Sequence, residues 1–481
     1  MKGGKLVAKG GFGCIFVPGL LCMGEKDVPA GTVTKLLTQE SAENEMLIQP
    51  RLLEKDPEHR FFLYPEQMCL PSHRYKKGLR LPKAEISDCT LDITDEEARL
   101  VRYKFGGTDL DTLVIQPAQY KDFFINLGKL FDALALLHSD TAVYHLDIKE
   151  NNIVCDDKMQ CRFIDFGMSD TVPSTTGAAF KYDLDRSIYP FDLQFIQFTF
   201  EGKSQRDKQV AVDKFWDTFS EDRNFFPRDA IGAKYEEIGL VALLETVEER
   251  LRTDFSEEEA FYKFIFSKTD VFSLGKVISA IWAKYTGVFK SYSVDHGTST
   301  LFIYSKKGGL QPMRNGRWGK RGYLEELLAE GNQDAINWFV KLEHASEGIY
   351  TLVEHMLDMD PFARYTVERA AKLYKKISVV LETLFTEADI VKYMAPYADR
   401  LPYGEVKSKS KSKSRSKSKS KSKSKSKSKS KSKKQTRRVN SIELHKKALI
   451  RRTRSANRSA AVTTRNFLNK PMYWKKYGEN D

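Results

Sequence analysis

The segment from His145 to Val154, HLDIKENNIV, contains the side chains whose types and spacing best suit chemistry. Asp147 is a carboxylate suited to orienting an alcohol and taking its proton, and Lys149 adds a nearby cation. Asn152 and the downstream Asp165 of FIDFG offer the oxygen ligands that Mg²⁺ prefers. Transfer of a phosphoryl group from ATP needs few other protein groups, because the protein mainly positions reactants and stabilises charge. The pattern therefore predicts phosphoryl transfer.

A glycine-rich turn lies near the N-terminus, where residues 8–15 read AKGGFGCI. Strand-like residues flank it on both sides, as they would in a β-hairpin. Glycines let a hairpin backbone approach phosphate groups and present its amides to them. Because most glycine-rich hairpins are only turns, this segment gains meaning from the lysine that follows it, Lys35 in Val33-Thr34-Lys35.

The pattern H-x-D-x-K-x-x-N followed by D-F-G resembles the catalytic loop and the metal-binding loop of protein kinases. HLDIKENN matches every signature position except Leu146, where the family usually has arginine. That arginine links the catalytic loop to a phosphorylated activation loop, so its absence implies an enzyme that is not switched on by that route. Lys149 is similar to the lysine of serine/threonine kinases rather than tyrosine kinases. The resemblance covers residues 5–385 and is strongest to the divergent serine/threonine kinases of large nucleocytoplasmic DNA viruses.

The resemblance also implies the nucleotide-binding residues. Against G-x-G-x-x-G, the first glycine is replaced by alanine and the other two match. Val33-Thr34-Lys35 is similar to the V-A-I-K strand, which implies that Lys35 contacts the α and β phosphates of ATP. The residues implied beside Lys35 at the ATP site are Ala8, Gly10, Gly11, Gly13 and Ile15.

The helix after this strand should provide a glutamate that pairs with Lys35. Glu43 and Glu45 both fit the helical spacing. Glu45 has Ile48 and Leu52 on its own helix face, so we favour Glu45, with Glu43 as the open alternative.

Two downstream motifs resemble structural elements of the same family. TDVFSLG at 269–275 is similar to S-D-V-W-S-L-G, whose aspartate, here Asp270, braces the backbone of the catalytic loop. DPFAR at 360–364 is similar to D-P-x-x-R, whose arginine, here Arg364, pairs with the glutamate of an A-P-E motif. The nearest candidate for A-P-E is YPFD, which implies that Asp192 is the partner of Arg364.

The elements that position these residues predict an α+β, bilobal, kinase-like fold. Residues 1–108 form a small strand-rich lobe with one short helix, over Gln39–Glu54, that Pro50 should kink or end. The strands predicted in this lobe are Lys5–Ala8, Cys14–Val17, Thr32–Leu37 and Leu100–Phe105.

Residues 109–400 form a larger and mostly helical lobe. It contains two long segments, 193–268 and 283–347, which carry helical stretches. The first is an insertion where kinases normally dock protein substrates. The helices predicted from apolar spacing are Tyr120–His138, Tyr235–Arg252, Val271–Trp282 and Tyr350–Leu357.

The net charge of +13 hides an acidic body and a basic tail. Residues 407–481 contain 27 Lys/Arg and 3 Asp/Glu, a net charge of +24, which leaves −11 for residues 1–406. Within the tail, taken as 401–481, residues 407–433 are Lys-Ser repeats with one Arg-Ser and no apolar residue, and such a segment is predicted to be disordered. Three readings stay open for it: a bland solvated tail, a region that binds nucleic acid or another polyanion, and a phosphorylation target of the chain itself.

The six cysteines are scattered and contain no C-x-x-C pair, so neither a disulfide framework nor a zinc site is expected. No early apolar stretch resembles a signal peptide or could span a bilayer. We therefore expect a soluble intracellular protein without membrane insertion. The viral resemblance implies the host cytoplasm or nucleus, or the virion. The oligomeric state is not indicated.

The leading hypothesis is a serine/threonine protein kinase that uses ATP and Mg²⁺ and acts on protein substrates. A small-molecule kinase is one alternative, against which Asp270 and Arg364 argue. The non-enzymatic alternative is a pseudokinase scaffold with a nucleic-acid-binding basic tail.

Overall fold

The computed structural model describes residues 4–9, 13–72, 89, 96–169, 190, 192–193, 204, 206–207, 210, 240–255, 257–293, 298–304, 310–314 and 322–394. All of them belong to one compact unit, Met1–Val406. The predicted tail, 401–481, lies outside the described residues.

A five-stranded antiparallel sheet forms the N-terminal part, in the order β1-β2-β3-β5-β4. The register places Lys35 opposite Ile15 on one side and opposite Val101 on the other, so its strand is central in the sheet. The predicted strands are present, with ends shifted by one or two residues. The five strands are Lys5–Lys9 (β1), Cys14–Val17 (β2), Thr32–Thr38 (β3), Gln67–Cys69 (β4) and Ala98–Lys104 (β5).

The helix predicted over Gln39–Glu54 is two helices, Gln39–Met46 (α1) and Gln49–Lys55 (α2). The chain breaks before Pro50, which lies in the first turn of α2, where a proline costs no intrahelical hydrogen bond. Thr38 begins α1, because its side-chain oxygen accepts a hydrogen bond from the backbone N–H of Ser41 at 3.2 Å.

A small three-stranded sheet, in the order β6-β7-β8, follows the first sheet along the chain. The catalytic-loop residues precede β7, and Asp165 follows β8. The predicted helix over Tyr120–His138 is interrupted at Gly128, where a Cβ atom would lie 2.9 Å from the ring of Tyr374. The elements of this region are Thr108–Asp109 (β6), Tyr120–Leu127 (α3), Lys129–Ser139 (α4), Ile153–Cys155 (β7) and Cys161–Phe163 (β8).

Long helices form most of the C-terminal part. The longest, α6, ends at Gly287, whose φ of 67° is the left-handed conformation that glycine adopts readily. The helices are Leu240–Asp254 (α5), Glu258–Thr286 (α6), Tyr323–Ala329 (α7), Gln333–Met356 (α8), Val367–Leu384 (α9) and Glu387–Asp389 (α10), which continues as a π-helix over Ile390–Met394.

The segment 283–347 carries helical stretches, as expected, and it also contains a three-stranded sheet that was not predicted. Apolar and polar residues do not alternate regularly in Val288–Ser293, VFKSYS, so its pattern gives no clear signal for a strand. The three strands are Val288–Ser293 (β9), Thr298–Tyr304 (β10) and Leu310–Pro312 (β11).

The main hydrophobic core lies among the long helices. Helix α8 packs against α6 and α9, and α9 also packs against α3 and α4. The buried residues of α9 recur every three or four positions, which gives it one apolar face. Within the part of the chain that the structure describes, no helix is both long and apolar enough to cross a bilayer.

The expectation that the cysteines do not form a disulfide framework is wrong. All six pair, as Cys14–Cys89, Cys22–Cys69 and Cys155–Cys161, with Cα–Cα distances of 5.9, 5.7 and 4.1 Å. The partners are 75, 47 and 6 residues apart, and the fold, which spacing does not reveal, brings them together. Cys155 and Cys161, for example, are opposite each other in the β7–β8 pair. Because the intracellular setting was inferred from unpaired cysteines, it stays an untested prediction.

Alkylation of the denatured, unreduced protein should modify none of its cysteines, and prior reduction should expose all six. Intact-mass spectrometry measures the number of alkyl groups. Replacing both Cys22 and Cys69 by serine should lower the free energy of unfolding by about 2–4 kcal/mol, because the unfolded chain loses a constraint. Six alkyl groups on the unreduced protein would contradict the pairing.

Candidate active site

The buried carboxylate of Asp270, on α6, organises the catalytic-loop segment. It accepts hydrogen bonds from the backbone N–H groups of His145 and Leu146, both at 2.8 Å. The ring of His138, on α4, contacts the same carboxylate at 2.9 Å from its Nε2 atom. Asp270 is fully buried, so removing it would leave these backbone donors without their partner.

Leu146 has a φ of 56°, in the left-handed region that costs a residue other than glycine roughly 1–2 kcal/mol. Its N–H is held by Asp270, and its side chain is 1% exposed. The surrounding contacts therefore maintain an unfavourable backbone conformation directly before Asp147.

Asp147, Lys149 and Asn152 come together in the loop before β7. The Nζ atom of Lys149 and the Nδ2 atom of Asn152 each donate to Oδ2 of Asp147 at 2.8 Å. Asn152 also donates to the backbone oxygen of Asp147 at 2.8 Å. Because the amide nitrogen of Asn152 faces Asp147, its amide oxygen is the atom that it can offer to a cation.

Lys35 joins the N-terminal sheet to Asp165. Its Nζ donates to Oδ1 of Asp165 at 2.8 Å and to Oε1 of Glu45. Glu45 is therefore the glutamate that contacts Lys35, whereas Glu43 accepts a hydrogen bond from Gln39 on the exposed side of α1. The three residues come from β3, α1 and the segment after β8, so this contact links separate elements.

Charge compensation determines the ionisation of this group. Burial alone would lower the pKa of Lys35, but Asp165 and Glu45 outweigh it and raise that pKa above its usual value. Burial would raise the pKa of Asp165, yet the Lys35 ammonium holds it below its usual value. For Glu45 burial prevails, and its pKa is raised. Lys35 is therefore charged, and Asp165 is ionised, across the neutral range.

The segments that carry Asp147 and Asp165 lie side by side, since the backbone N–H of Ile164 donates to the backbone oxygen of Asn152 at 3.0 Å. Lys149 is bonded to Asp147, and its charge also lowers the pKa of Asp165. His145 bridges the two segments behind them, since its Nε2 atom lies 3.1 Å from the backbone oxygen of Ile164. Asp147 is 5% exposed, whereas the side chain of Asp165 retains 38% of its surface, so the site opens on the Asp165 side.

The glycine-rich hairpin lies next to Lys35. Ala8 pairs with Ile15 across β1 and β2, and the predicted site residues Gly10 and Gly11 lie outside the described residues. Gly13 is buried, and a Cβ atom there would lie 2.9 Å from the backbone oxygen of Leu36. This glycine therefore allows close approach of the strand that carries Lys35.

The structure pairs Arg364 with Asp192, as the YPFD motif implies. Nη2 of Arg364 lies 2.6 Å from Oδ1 of Asp192, and both side chains are fully buried. Arg364 also donates to the backbone oxygens of Asp358 and Lys268 at 2.8 and 3.1 Å. A buried ion pair with these added hydrogen bonds fixes the segment around Asp192 against α6.

The donor set fits Mg²⁺ bound together with a nucleotide. Asp165 supplies a carboxylate and Asn152 an amide oxygen, and Mg²⁺ typically takes one or two carboxylates plus substrate phosphates. Within the described ranges, no cluster of three or more His, Cys, Asp or Glu residues could hold a metal alone. The chemistry of these residues therefore matches a cation that arrives with phosphate ligands.

Two polar contacts at the site have no clear signal in the sequence. The hydroxyl of Tyr103, on β5, donates to Oε2 of Glu45, and burial together with Glu45 raises the pKa of Tyr103 well above its usual value. The second is the contact of His138 with Asp270. In the sequence, Tyr103 looks like an ordinary residue of a strand and His138 like an ordinary residue of a helix.

Residues 103–184 match the family model of the protein kinase domain. The matched range contains the catalytic loop and Asp165, so it covers the centre of the site. No curated protein matches the chain in a sequence comparison. The family match supports a protein kinase family for this chain, and the mixed content of helices and sheets fits an α+β kinase-like fold.

Lys268 lies beside the buried Arg364–Asp192 pair and should make stability depend on pH. Burial, with a further contribution from Arg364, lowers the pKa of Lys268 from 10.5 to about 8. Above pH 8 the folded chain has released this proton while the unfolded chain still binds it, so rising pH favours the folded state up to about pH 10. The wild type should gain about 1–2 kcal/mol over Lys268→Met between about pH 7 and pH 9.5, as measured by urea denaturation.

Lys263→Met is the matched control on the same helix. Lys263 is exposed and pairs with Glu259, so its removal should leave the pH profile parallel to that of the wild type. A Lys268→Met profile that also runs parallel to the wild type would contradict the lowered pKa.

Proposed function

We propose that this chain is an ATP-dependent serine/threonine protein kinase, which transfers the γ-phosphoryl group of Mg-ATP to hydroxyl groups of protein substrates. The family match supports a phosphotransferase of the kinase type, and the substrate class and the use of Mg²⁺ are our inference from the site. The observation that carries the proposal is that Asp147 and Asp165 lie in adjacent segments, which His145 joins by its contact with Ile164. Lys149 is bonded to Asp147, and Lys35 is bonded to Asp165 and Glu45.

Each group has a role in the transfer. Asp147 orients the acceptor hydroxyl and receives its proton as the oxygen attacks the γ-phosphorus and ADP leaves. Lys149, bonded to Asp147, balances negative charge on the moving phosphoryl group. Lys35, held by Glu45, binds the phosphates that remain with ADP, and the Gly13 segment lets the backbone approach them.

Asp165 and Asn152 are the residues that would hold Mg²⁺, which neutralises phosphate charge when it is bound. Lys35 donates to Oδ1 of Asp165, and the phosphate oxygens of Mg-ATP would offer the same ammonium further negative charge.

Serine and threonine are the proposed acceptors because of Lys149. Its ammonium lies 2.8 Å from the carboxylate of Asp147, which would orient the acceptor hydroxyl. Serine and threonine have short side chains, so their hydroxyl groups would lie close to this positive charge. The resemblance of HLDIKENN to serine/threonine kinases points in the same direction.

Asp147→Ala should reduce phosphate transfer to a generic basic protein by at least about 1,000-fold while ATP binding persists, because the phosphate contacts remain. Asp165→Ala should lose both the activity and the Mg²⁺-dependent part of ATP binding. Transfer of radiolabelled phosphate and calorimetric titration with ATP, with and without Mg²⁺, measure the two effects.

Asp157→Ala is the matched control, since Asp157 is an exposed aspartate in the turn between β7 and β8. It should keep both activities. A wild-type chain that binds Mg-ATP but transfers no phosphate would favour the pseudokinase alternative, and transfer only to small acceptors would favour a small-molecule kinase.

We also propose that the basic tail binds nucleic acid or another polyanion. Residues 407–481 carry a net charge of +24, and neutralising phosphates with such a segment releases counterions. Aromatic residues are sparse in it, so binding should be independent of sequence. The domain limits 1–108, 109–400 and 401–481 stay predictions.

Single-stranded RNA of mixed sequence should bind the full chain, and its affinity should fall steeply as salt rises from about 50 to 200 mM. A chain that ends at residue 406 should bind at least about tenfold more weakly, because its net charge is −11. Fluorescence anisotropy measures both affinities. Equal binding by the two chains would contradict a role for the tail.

A further inference from the structure

An apolar cluster encloses the side chain of Leu146, directly before the catalytic Asp147. Leu146 is 1% exposed, and its cluster contains residues from α5, from the N-terminal part of α6 and from the Asp192 segment. We call these residues the Leu146 cluster: Tyr144, Leu146, Leu193, Val247, Leu251, Phe261, Ile265 and Phe266.

Helix α5 contributes Val247 and Leu251 to this cluster, with 4% and 3% exposure. These residues are one helical turn apart, so they lie on one face of α5. The helix belongs to the segment 193–268 that reads as an insertion in the sequence. Its apolar face is therefore directed into the cluster around the catalytic loop.

Further contacts fix α5 in place. The guanidinium of Arg250 lies 3.8 Å from the ring centroid of Phe362, and the ring of Phe255 stacks on Phe362 at 6.5 Å. Phe362 is two residues before Arg364, which forms the buried ion pair with Asp192. Asp192 is directly before Leu193 of the cluster. The Leu146 cluster is thus bounded by elements that are themselves held by buried contacts.

The backbone of Leu146 needs such support. Its φ of 56° is unfavourable for leucine, and a conformation of this kind persists only where its surroundings impose it. Asp270 holds the N–H of Leu146 from one side, and the cluster holds its side chain. Loss of either would let the peptide before Asp147 relax.

We propose that α5 is a positioning element of the catalytic loop, with Leu251 as a positioning residue that acts on Asp147 through Leu146. The inference rests on the proposed kinase function. Packed side chains of the chain itself then hold the catalytic loop in its active conformation. They do so at Leu146, where the kinases that the sequence resembles usually have a charged arginine.

The proposal predicts an effect on turnover rather than on nucleotide binding. Lys35, Glu45 and Asp165 are not part of the Leu146 cluster, so their contacts do not depend on Leu251. A displaced Asp147 instead misaligns the acceptor hydroxyl, and small misplacements of a reacting group cost large factors in rate.

Leu251→Ala should lower kcat by at least about fivefold and change KM for ATP by less than about twofold. Leu251→Met should restore kcat, because methionine fills a similar volume. Leu327→Ala is the matched control: Leu327 is a buried leucine of α7, outside the Leu146 cluster, and its truncation should lower Tm by a similar amount without the loss in kcat.

A double-mutant cycle tests the route through Leu146. In a Leu146→Gly background, which removes the side chain and suits the left-handed φ, Leu251→Ala should lower kcat by less than about a further twofold. An undiminished loss in that background would overturn the route through Leu146. A kcat of Leu251→Ala within about twofold of the wild type, in a folded protein, would overturn the proposal as a whole.

Amide hydrogen exchange separates this proposal from the proposed function. Peptides that cover residues 145–147 should exchange faster in Leu251→Ala than in the wild type or Leu327→Ala, since the Leu146 N–H depends on the local conformation. A wild type without any phosphate transfer would overturn the kinase function even if this exchange result is found. Unchanged exchange in Leu251→Ala would overturn the positioning role of α5.

Discussion

The active-site geometry depends on one buried carboxylate. Asp270 lies within the longest helix and holds two consecutive backbone N–H groups of the catalytic loop, and it also contacts the ring of His138. A buried carboxylate needs several hydrogen-bond donors in place of water. The catalytic loop supplies two of them to Asp270, so the same hydrogen bonds satisfy the carboxylate and hold the loop. The catalytic loop therefore has a defined conformation only when α6 and α4 are packed together, and this joins the reacting groups to the main hydrophobic core.

Opposite charges hold together the side of the site that would bind the nucleotide. Lys35 lies between Asp165 and Glu45, and the hydroxyl of Tyr103 bonds the second oxygen of Glu45. One cation thus compensates two neighbouring carboxylates that would otherwise repel each other. This group links the N-terminal sheet and α1 to the segment after β8, so the binding of phosphate there can reach α1 through Glu45.

Much of the site could be predicted from the sequence, because HLDIKENN and DFG resemble the catalytic loop and the metal-binding loop of protein kinases. The resemblance, rather than spacing, anticipated the contacts of Asp270 with the catalytic loop and of Arg364 with Asp192, whose partners are 125 and 172 residues apart. The choice between Glu43 and Glu45 stayed open because the two glutamates lie on different faces of the helix, and the sequence does not show which face is directed to Lys35. The contact of Lys35 with Glu45 decides it. The disulfides and the β9–β11 sheet were missed, since the first depend on contacts between segments up to 75 residues apart and the second on pairing between strands. The cluster around Leu146 depends likewise on segments distant in sequence.

Gly13 illustrates how strand packing and ligand contact share one position. The space where its side chain would be is occupied by β3, including the backbone of Leu36 and the stem of Lys35. Any larger residue would push on the strand that carries Lys35 before it met a phosphate. A loss of nucleotide affinity after substitution at this position would thus report a displaced lysine as much as an altered loop. Intolerance of substitution at Gly13 would therefore reflect the packing of this segment against β3.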